Sequence, residues 1–333
     1  MNEFIIILLF FIFNFVILLS YKKISKFVNV YDIPNKRKIH KNKTPLIGGV
    51  LIIICLILIF FTNIFFNISN QIFGSDTTFY FFFFTSLIIF LLGFVDDKYD
   101  LNSNLRLLIL SLIIFSILFL DQNIQIKVIK ISFLDDPIYL GKYSIFFSTL
   151  CFLLFINACN MFDGINLQST SYFIIVLISL SLFTGLNIFL IIILLSLIAI
   201  FYLNFSGKIF MGDSGIYLLS FIFSYLVVKS YNLELIKNAD IIFIIMMVPG
   251  FDMLRLFISR IFDKKNPFRA DMNHIHHLLI KKYSYTKSIL IINSIILFPI
   301  FVMLLGFNNL VIILSYLVFY IYFIYHLKLN NNK

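Results

Sequence analysis

The sequence is poor in charged residues and contains no tryptophan. Only 13% of its 333 residues are Asp, Glu, Lys or Arg, whereas a soluble domain carries roughly a quarter. Apolar residues make up 61% of the chain, and phenylalanine alone occurs 44 times. A soluble core of this length cannot bury so much apolar surface, so lipid must solvate most of it. A soluble globular fold is therefore excluded.

Cysteine is also scarce, with three residues in the chain. Cys55 and Cys151 lie within apolar segments, and Cys159 lies in a polar turn without a second cysteine at C-x-x-C spacing. The sequence therefore predicts no disulfide bonds.

Acidic residues are outnumbered, which leaves a formal net charge of +10. Such a charge is compatible with nucleic-acid binding, but the basic residues occupy short loops between apolar runs. That distribution is typical of the loops on the cytoplasmic side of a membrane protein rather than of a nucleic-acid interface. Nucleic acid is therefore not an expected partner.

Apolar runs of about 20 residues predict an all-α polytopic membrane bundle of about eleven transmembrane helices, within a range of ten to twelve. The first run lacks a basic n-region and a small-residue cleavage site, so we interpret it as a retained helix. Residues 1–333 form one integral membrane domain in this interpretation. The predicted spans are 4–20, 46–66, 78–95, 105–120, 143–157, 169–185, 187–204, 215–230, 240–258, 287–305 and 309–327.

The basic residues predict the orientation. With the N-terminus outside and the C-terminus cytoplasmic, 21 of the 26 Lys and Arg residues face one side, which is then the cytoplasm. The outside segment 124–140 partly alternates apolar and polar residues and then reaches Asp135-Asp136-Pro137. This pattern predicts a small external β-hairpin.

Five polar segments stand out, namely 32–49, 96–106, 157–168, 208–215 and 259–286. All five fall on the cytoplasmic side, and ionisable groups at a membrane boundary are costly to place there without a function. In the first segment, Lys36, Arg37 and His40 suit an anionic lipid headgroup, although simple anchoring of the helix is the alternative.

The second segment ends an apolar helix with Asp96 and Asp97. Adjacent carboxylates repel each other unless a cation holds them, and Mg²⁺ typically binds one or two carboxylates together with phosphate oxygens and water. The alternative is a helix end that simply enters water.

The third segment contains Asn157, Asn160, Asp163 and Asn166, and the first two share one helical face. Their amides and carboxylate suit a nucleotide or a metal, and Gly164 allows a sharp turn. In the fourth segment, glycines flank Asp213 before an apolar helix, whose N-terminal N–H groups are then available to an anion. An ordinary N-cap is the alternative for Asp213.

The fifth segment contains Arg269, His274, His276 and His277. The H-x-H-H spacing fits no common zinc template, and imidazoles beside an arginine better suit a pyrophosphate. Acids for a divalent metal, and basic and His residues for phosphates, together indicate metal-assisted phosphoryl transfer at the membrane surface.

As an ordered set, the five segments resemble the polyprenyl-phosphate N-acetylhexosamine-1-phosphate transferases, the superfamily that contains the MurNAc-pentapeptide translocase. The Pro-Phe-x-x-Asp-x-x-His-x-His-His run at 267–277 is similar to the O-antigen and enterobacterial-common-antigen initiating branch. The resemblance implies an enzyme of the bacterial inner membrane with a cytoplasmic active site. A UDP-N-acetylhexosamine and undecaprenyl phosphate would give undecaprenyl-pyrophosphoryl-sugar and UMP, with Mg²⁺, or Mn²⁺ in its place, as the cofactor.

The resemblance also implies roles for individual residues. Asp213 and Asn160 would bind Mg²⁺ and pyrophosphate, and Asp96, Asp97 and Asp213 would be catalytic. The nucleotide-sugar would contact Asn157, Asp163, Asn166, Arg269, His274, His276 and His277, and the lipid phosphate would contact Lys36, Arg37 and His40. The family usually has a second glycine where this chain has Leu167, followed by Gln168, which puts the tight turn in doubt.

Several alternatives stay open at this point. A transporter would also carry intramembrane carboxylates, but it predicts acids at mid-span and repeated halves. A CDP-alcohol phosphotransferase would continue Asp163-Gly164 as x-x-Ala-Arg, which this chain does not. Direct attack by the lipid phosphate is favoured over a covalent Asp97 intermediate, because a phosphate monoester is largely dianionic at pH 7. A homodimer is compatible with the sequence.

Overall fold

A computed structural model of the protein describes residues 3–34, 42–68, 70–264 and 272–331. Its first helices are α1 (Glu3–Val28), α2 (Gly48–Phe66), α3 (Asn70–Phe73), α4 (Asp76–Tyr99), α5 (Ser103–Leu120), α6 (Ser144–Phe162) and α7 (Gln168–Thr184). The others are α8 (Ile188–Phe205), α9 (Gly212–Asn232), α10 (Ala239–Phe262), α11 (Ile275–Lys282), α12 (Tyr285–Leu304) and α13 (Asn309–Asn331). The strands are β1 (Tyr31–Asp32), β2 (Thr44–Pro45), β3 (Val128–Ile129) and β4 (Ile138–Tyr139).

The predicted all-α polytopic membrane bundle is confirmed. Within the described ranges, ten helices are long and apolar enough to cross a membrane, and α7, with 17 residues, is a shorter apolar helix. Each of the eleven predicted spans overlaps one of these eleven helices. The predicted split at Gly185-Leu186-Asn187 falls between α7 and α8, where Asn187 caps α8 by accepting a hydrogen bond from the Leu190 N–H at 3.0 Å.

Helix α9 lies at the centre of the bundle. Its most apolar stretch of 18 residues is entirely buried, although α9 is the least hydrophobic of the ten spanning helices. Ser220, Ser224, Tyr217 and Tyr225 all lie on it and are buried. Small and polar side chains are disfavoured against lipid but allow close helix–helix packing. The composition of α9 therefore requires that other helices, not lipid, surround it.

Glycines allow α2 and α4 to approach the first turn of α9. A Cβ atom added at Gly49 would lie 2.4 Å from the Gly215 nitrogen, and one added at Gly93 would lie 2.5 Å from the Ser214 Cα. These distances are far below ordinary contact, and the obstructing atoms belong to the backbone. Gly49 and Gly93 therefore bring three helix termini together at one end of the bundle.

Two small antiparallel ladders lie at opposite ends of the bundle. Strands β3 and β4 pair Val128 with Tyr139 and Ile129 with Ile138, which confirms the hairpin predicted within 124–140. Strands β1 and β2, which the sequence did not predict, bring together the two ends of the first polar segment. The Phe210 N–H then donates to the Pro45 oxygen at 2.9 Å, so this segment is joined to the start of α9.

We predict that Gly93→Ala destabilises the protein, whereas Gly250→Ala does not. The Gly93 methyl group would overlap the backbone of Ser214 and Asp213, and overpacking of this kind costs about 1–3 kcal/mol. A Cβ atom at Gly250 in α10 meets nothing within 4 Å, and alanine favours a helix. Thermal unfolding of the purified protein in detergent measures both variants. Equal unfolding midpoints for the two variants would contradict the close approach of α4 to α9.

Candidate active site

The C-terminus of α4 meets the N-terminus of α9 through the carboxylate of Asp97. One oxygen of Asp97 accepts a hydrogen bond from the Asp213 N–H at 2.7 Å, and the other accepts from the Ser214 N–H at 3.0 Å. Gly212 adopts φ +72°, and a Cβ atom there would lie 2.7 Å from an Asp97 oxygen. Asp97 therefore caps α9 and fixes the position of Asp213.

This contact corrects the expectation that the first N–H groups of α9 are available to a substrate anion. The anion bound there is the carboxylate of Asp97 itself. The alternative interpretation of Asp213 as an N-cap is also wrong, because Asp213 lies inside the first turn of α9 and Met211 occupies the cap position. No described residue donates a hydrogen bond to the Asp213 carboxylate, which leaves its oxygens available to a ligand.

Asp96 points away from Asp97 and is only 3% exposed. Its carboxylate accepts hydrogen bonds from the Leu101 N–H at 2.9 Å, the Arg106 guanidinium at 3.0 Å and the Tyr217 hydroxyl at 2.7 Å. The expectation that one cation holds the two adjacent acids together is therefore wrong, since Arg106 supplies the positive charge for Asp96. The catalytic role of Asp96 stays a prediction, and its contacts are those of a residue that joins α4, α5 and α9.

The end of α6 brings Asp163 to the same place. Asp163 lies within electrostatic reach of Asp97 and Asp32, and Asp213 lies within reach of Asp163. Burial raises the pKa of Asp163 to about 6, the hydrogen bond from the Ser169 hydroxyl opposes this rise, and the charges of Asp97 and Asp32 add to it. Asp97, Asp163 and Asp213 therefore form an acidic cluster, which concentrates negative charge at one end of the bundle.

The neighbouring amides are placed differently from one another. Asn160 lies beside Tyr217, with a long contact of 3.5 Å between its amide nitrogen and the hydroxyl oxygen. Asn157 donates to the Leu153 carbonyl of its own helix at 2.7 Å. The main-chain carbonyl of Asn166 accepts a hydrogen bond from the Tyr285 hydroxyl at 2.6 Å. Asn160 is therefore the amide for which the structure shows a side-chain contact with α9.

The turn between α6 and α7 forms without the second glycine of the family pattern. Leu167 adopts φ +71°, and its N–H donates to the Asn204 side chain at 2.5 Å. Asn204 in turn donates to the Ile209 carbonyl at 2.8 Å. A contact with α8 therefore holds a leucine in a left-handed conformation that costs roughly 1–2 kcal/mol. The tight turn that the missing glycine put in doubt is therefore present.

The histidine segment packs against the same turn. His276 is buried, and a Cβ atom added at Gly164 would lie 1.9 Å from its Nε2 atom. Gly164 does not have a positive φ, so the reason for a glycine is room for His276 rather than a sharp turn. Burial, together with His277 and His274, lowers the pKa of His276 well below its usual value. His276 is therefore neutral at pH 7.

A buried network in α10 and α13 holds His274. The ring Nδ1 of His274 lies 3.0 Å from one oxygen of Asp252, and the other oxygen accepts from Arg255 at 2.7 Å and from the Tyr320 hydroxyl at 2.9 Å. Arg255 also donates to the Asn273 carbonyl at 2.7 Å. This network therefore fixes where the histidine segment begins.

Comparison with known proteins shows which family the chain resembles. The model of glycosyl transferase family 4 matches residues 79–231, which include Asp96, Asp97, Asn160, Asp163 and Asp213. The chain is 28% identical to a probable undecaprenyl-phosphate N-acetylglucosaminyl 1-phosphate transferase of Bacillus subtilis, with 81% of this chain and 75% of that relative covered. Over residues 79–231 the chain is similar to glycosyl transferase family 4. The resemblance to polyprenyl-phosphate N-acetylhexosamine-1-phosphate transferases is thereby confirmed.

Two further relatives are similar over the same share of the chain. Both are named undecaprenyl-phosphate alpha-N-acetylglucosaminyl 1-phosphate transferase. The protein of Thermotoga maritima is 27% identical, with 81% of this chain and 79% of the relative covered. The protein of Escherichia coli K12 is 25% identical, with 81% of this chain and 74% of the relative covered.

The predicted site residues fall into two groups. Asp96, Asp97, Asn157, Asn160, Asp163, Asn166, Asp213, His274, His276 and His277 lie at one end of the bundle, as the sequence predicted. Lys36, Arg37, His40 and Arg269 lie outside the described residues.

Sequence reasoning missed Asp252, Arg255 and Tyr217. The signal for the first two was present, because Asp252 and Arg255 are ionisable residues three positions apart inside an apolar span. No such signal marks Tyr217, whose contact with Asp96 depends on how α4 packs against α9.

The donor set at this end fits a hard divalent cation. Asp163 and Asp213 offer carboxylate oxygens and Asn160 offers an amide oxygen, which are ligands that Mg²⁺ accepts. Across the described residues, no three His, Cys, Asp or Glu side chains converge as a ready cation site. This arrangement suits a cation that completes its coordination with phosphate oxygens and water.

We predict that Asp163→Asn stabilises the protein above pH 6 in EDTA. The folded state raises the pKa of Asp163 from 3.8 to about 6, so ionised Asp163 costs stability that grows from about pH 4 to 6 and is constant above. Asparagine avoids this cost and still accepts from Ser169. Unfolding midpoints measured from pH 4 to 8 should therefore diverge as the pH rises. Asp136→Asn, in the exposed hairpin connection, is the control. A constant difference across the range would contradict the prediction.

We also predict that Asp252→Asn impairs transferase activity beyond its effect on folding. The change leaves Arg255 without its carboxylate, which costs about 3 kcal/mol or more, and releases His274. Asp240→Asn is a matched control, because Asp240 is also buried in α10 but binds Ser132 and Asn309 at the opposite end. Activity per folded molecule should fall for the first variant only. Equal specific activities would limit Asp252 to a structural role.

Proposed function

We propose that this protein transfers a sugar-1-phosphate from a UDP-N-acetylhexosamine to undecaprenyl phosphate. The products are undecaprenyl-pyrophosphoryl-sugar and UMP. The observation that carries the proposal is that Asp97, Asp163 and Asp213 lie within electrostatic reach of one another at one end of a membrane bundle similar to glycosyl transferase family 4. The names of the relatives make UDP-N-acetylglucosamine the first donor to test.

The bond changes follow from the substrates. An oxygen of the lipid phosphate attacks the phosphorus that carries the sugar, the bond between that phosphorus and the bridging oxygen to the UMP phosphorus breaks, and UMP leaves. A phosphate monoester has a second pKa near 6, so it is already largely dianionic at pH 7 and needs little help from a base. Mg²⁺, when bound, would neutralise charge on the pyrophosphate.

The contacts of Asp97 support direct attack by the lipid phosphate. Both of its oxygens accept hydrogen bonds from the backbone of α9, so a covalent role would require α9 to lose its cap. Asp213 and Asp163 are better placed to hold the cation with Asn160, because no salt bridge between described residues engages either carboxylate. Neutral His276 can donate or accept a hydrogen bond to the nucleotide-sugar without adding charge.

The membrane arrangement supports a cytoplasmic site. UDP-sugars are cytoplasmic, and 21 of the 26 basic residues are assigned to the side of the bundle that carries the acidic cluster. Lys36, Arg37 and His40 would meet the lipid phosphate at the inner membrane surface, and Arg269 would meet the nucleotide. The expected product is the first lipid-linked intermediate of a cell-envelope glycan.

The proposal is tested with the purified protein, undecaprenyl phosphate and labelled UDP-N-acetylglucosamine. We expect lipid-extractable label and UMP with Mg²⁺, loss of both with EDTA, and recovery when Mg²⁺ or Mn²⁺ is restored. Asp213→Asn should reduce the rate about a hundredfold or more. Asp76→Asn, at the opposite end of α4, is the control and should retain activity.

The alternatives give different results in the same assay. A transporter would release no UMP, and a different lipid phosphotransferase would use another activated donor. Absence of transfer from every UDP-N-acetylhexosamine in a folded sample would overturn the proposal.

A further inference from the structure

A cavity lies at the end of the bundle opposite the acidic cluster. It has a volume of about 310 Å³ and forms where the β3–β4 hairpin, the turn at Gln122–Ile124 and the connection from α9 to α10 meet. Tyr231 and Asn232 line it from the last turn of α9, whose first turn carries Asp213. A helix of this length separates the two places by about 30 Å. The cavity is therefore no part of the active site.

Hydrogen bonds fix the walls of this cavity. The Tyr231 hydroxyl accepts from the Lys130 N–H at 2.7 Å and donates to the Val128 carbonyl at 3.1 Å. The Asn232 amide donates to the Asn123 and Gln125 carbonyls at 2.7 and 3.0 Å. The hairpin is thus held on the end of α9, and the cavity is shaped before any ligand arrives.

The residues that line the cavity carry a net positive charge. Lys127, Lys130 and Lys237 line it, and the carboxylate among its lining residues belongs to Glu234. Lys130 pairs with Glu234 at 2.7 Å. For Lys127 and Lys237, no carboxylate partner occurs within the described part of the chain. Three lysines and one glutamate leave a net charge of +2 around one cavity, and like charges in one place favour an anion that several of them can bind at once.

We propose that this cavity binds a phosphate-bearing anion. Lys127 and Lys237, which have no carboxylate partner among the described residues, match the charge of a phosphate. The side-chain amides of Gln122 and Asn123 offer further donors for its oxygens or for an attached polyol. The volume admits a phosphorylated headgroup of a few heavy atoms beyond the phosphate. The phosphate can belong to an anionic phospholipid of the adjacent leaflet or to a soluble phosphate, and the chemistry of recognition is the same.

The test compares Lys127→Gln/Lys237→Gln with Lys142→Gln. Lys142 is exposed at the same end of the bundle but does not line the cavity, so it is a matched control. Thermal unfolding of the full chain is measured in detergent with increasing inorganic phosphate, and in nanodiscs of phosphatidylcholine with and without phosphatidylglycerol. Ligand binding to the folded state raises the unfolding midpoint, and at one ligand concentration the rise grows with the logarithm of the affinity.

We expect the parent and Lys142→Gln to be stabilised by at least one of the two phosphate sources, and this stabilisation to weaken with salt. The double Gln variant should lose affinity about tenfold or more. Lys127→Arg/Lys237→Arg should retain it, which separates loss of charge from a folding defect. Stabilisation by both sources identifies the phosphate group as sufficient, and stabilisation by phosphatidylglycerol alone identifies a lipid headgroup.

Two results would overturn the proposal. One is a parent protein that neither source stabilises. The other is an equal response of the parent and the double Gln variant, which would assign the bound phosphate to the catalytic end. Neither measurement uses transferase activity, so the outcome is independent of the proposed reaction.

Discussion

The carboxylate of Asp97 on the first turn of α9 is the contact on which the site depends. It joins the end of one spanning helix to the beginning of another, and it satisfies two N–H groups that would otherwise lack partners inside the bundle. Because Asp213 supplies one of those N–H groups, its side chain is positioned by the same contact. The approach is close only because Gly93 and Gly212 carry no side chain. One interaction therefore sets both the packing of α4 and the geometry of the acidic cluster.

The aspartates at the end of the bundle that carries Asp97 fall into two groups, according to whether a cationic residue of the protein binds them. Asp96 is bound by Arg106, and Asp252 is bound by Arg255 and His274, so both are neutralised by the chain itself. Between described residues, no salt bridge neutralises Asp163 or Asp213. Ionised carboxylates that are buried near one another without a counter-ion raise the free energy of the folded state. The protein bears this cost where a bound divalent cation would relieve it. Asp96 and Asp252 therefore build the site, whereas Asp163 and Asp213 would act in it.

The sequence was sufficient for the eleven apolar helices, the β3–β4 hairpin and the five segments that form the site, because hydrophobic run length and loop charge carry that information locally. The short helices α3 and α11 were not predicted. It could not predict which residues form hydrogen bonds and ion pairs with each aspartate of the site. Adjacent Asp96 and Asp97 look equivalent in sequence, yet packing turns one towards Arg106 and the other towards α9. Leu167 shows the same limit, since a hydrogen bond from its N–H to Asn204 on another helix holds a conformation that leucine disfavours by itself.

The composition of α9 explains why the site lies where it does. A helix with this many serines and tyrosines is unfavourable against lipid, so other helices must surround it. A helix that is surrounded on all sides contacts the ends of its neighbours at both of its own termini. At the first turn those neighbours supply carboxylates, and at the last turn they supply the hairpin and its lysines. The polar residues of α9 would destabilise a helix that faces lipid, and they therefore keep α9 at the centre of the bundle. A chemically distinct site thus lies at each end of α9.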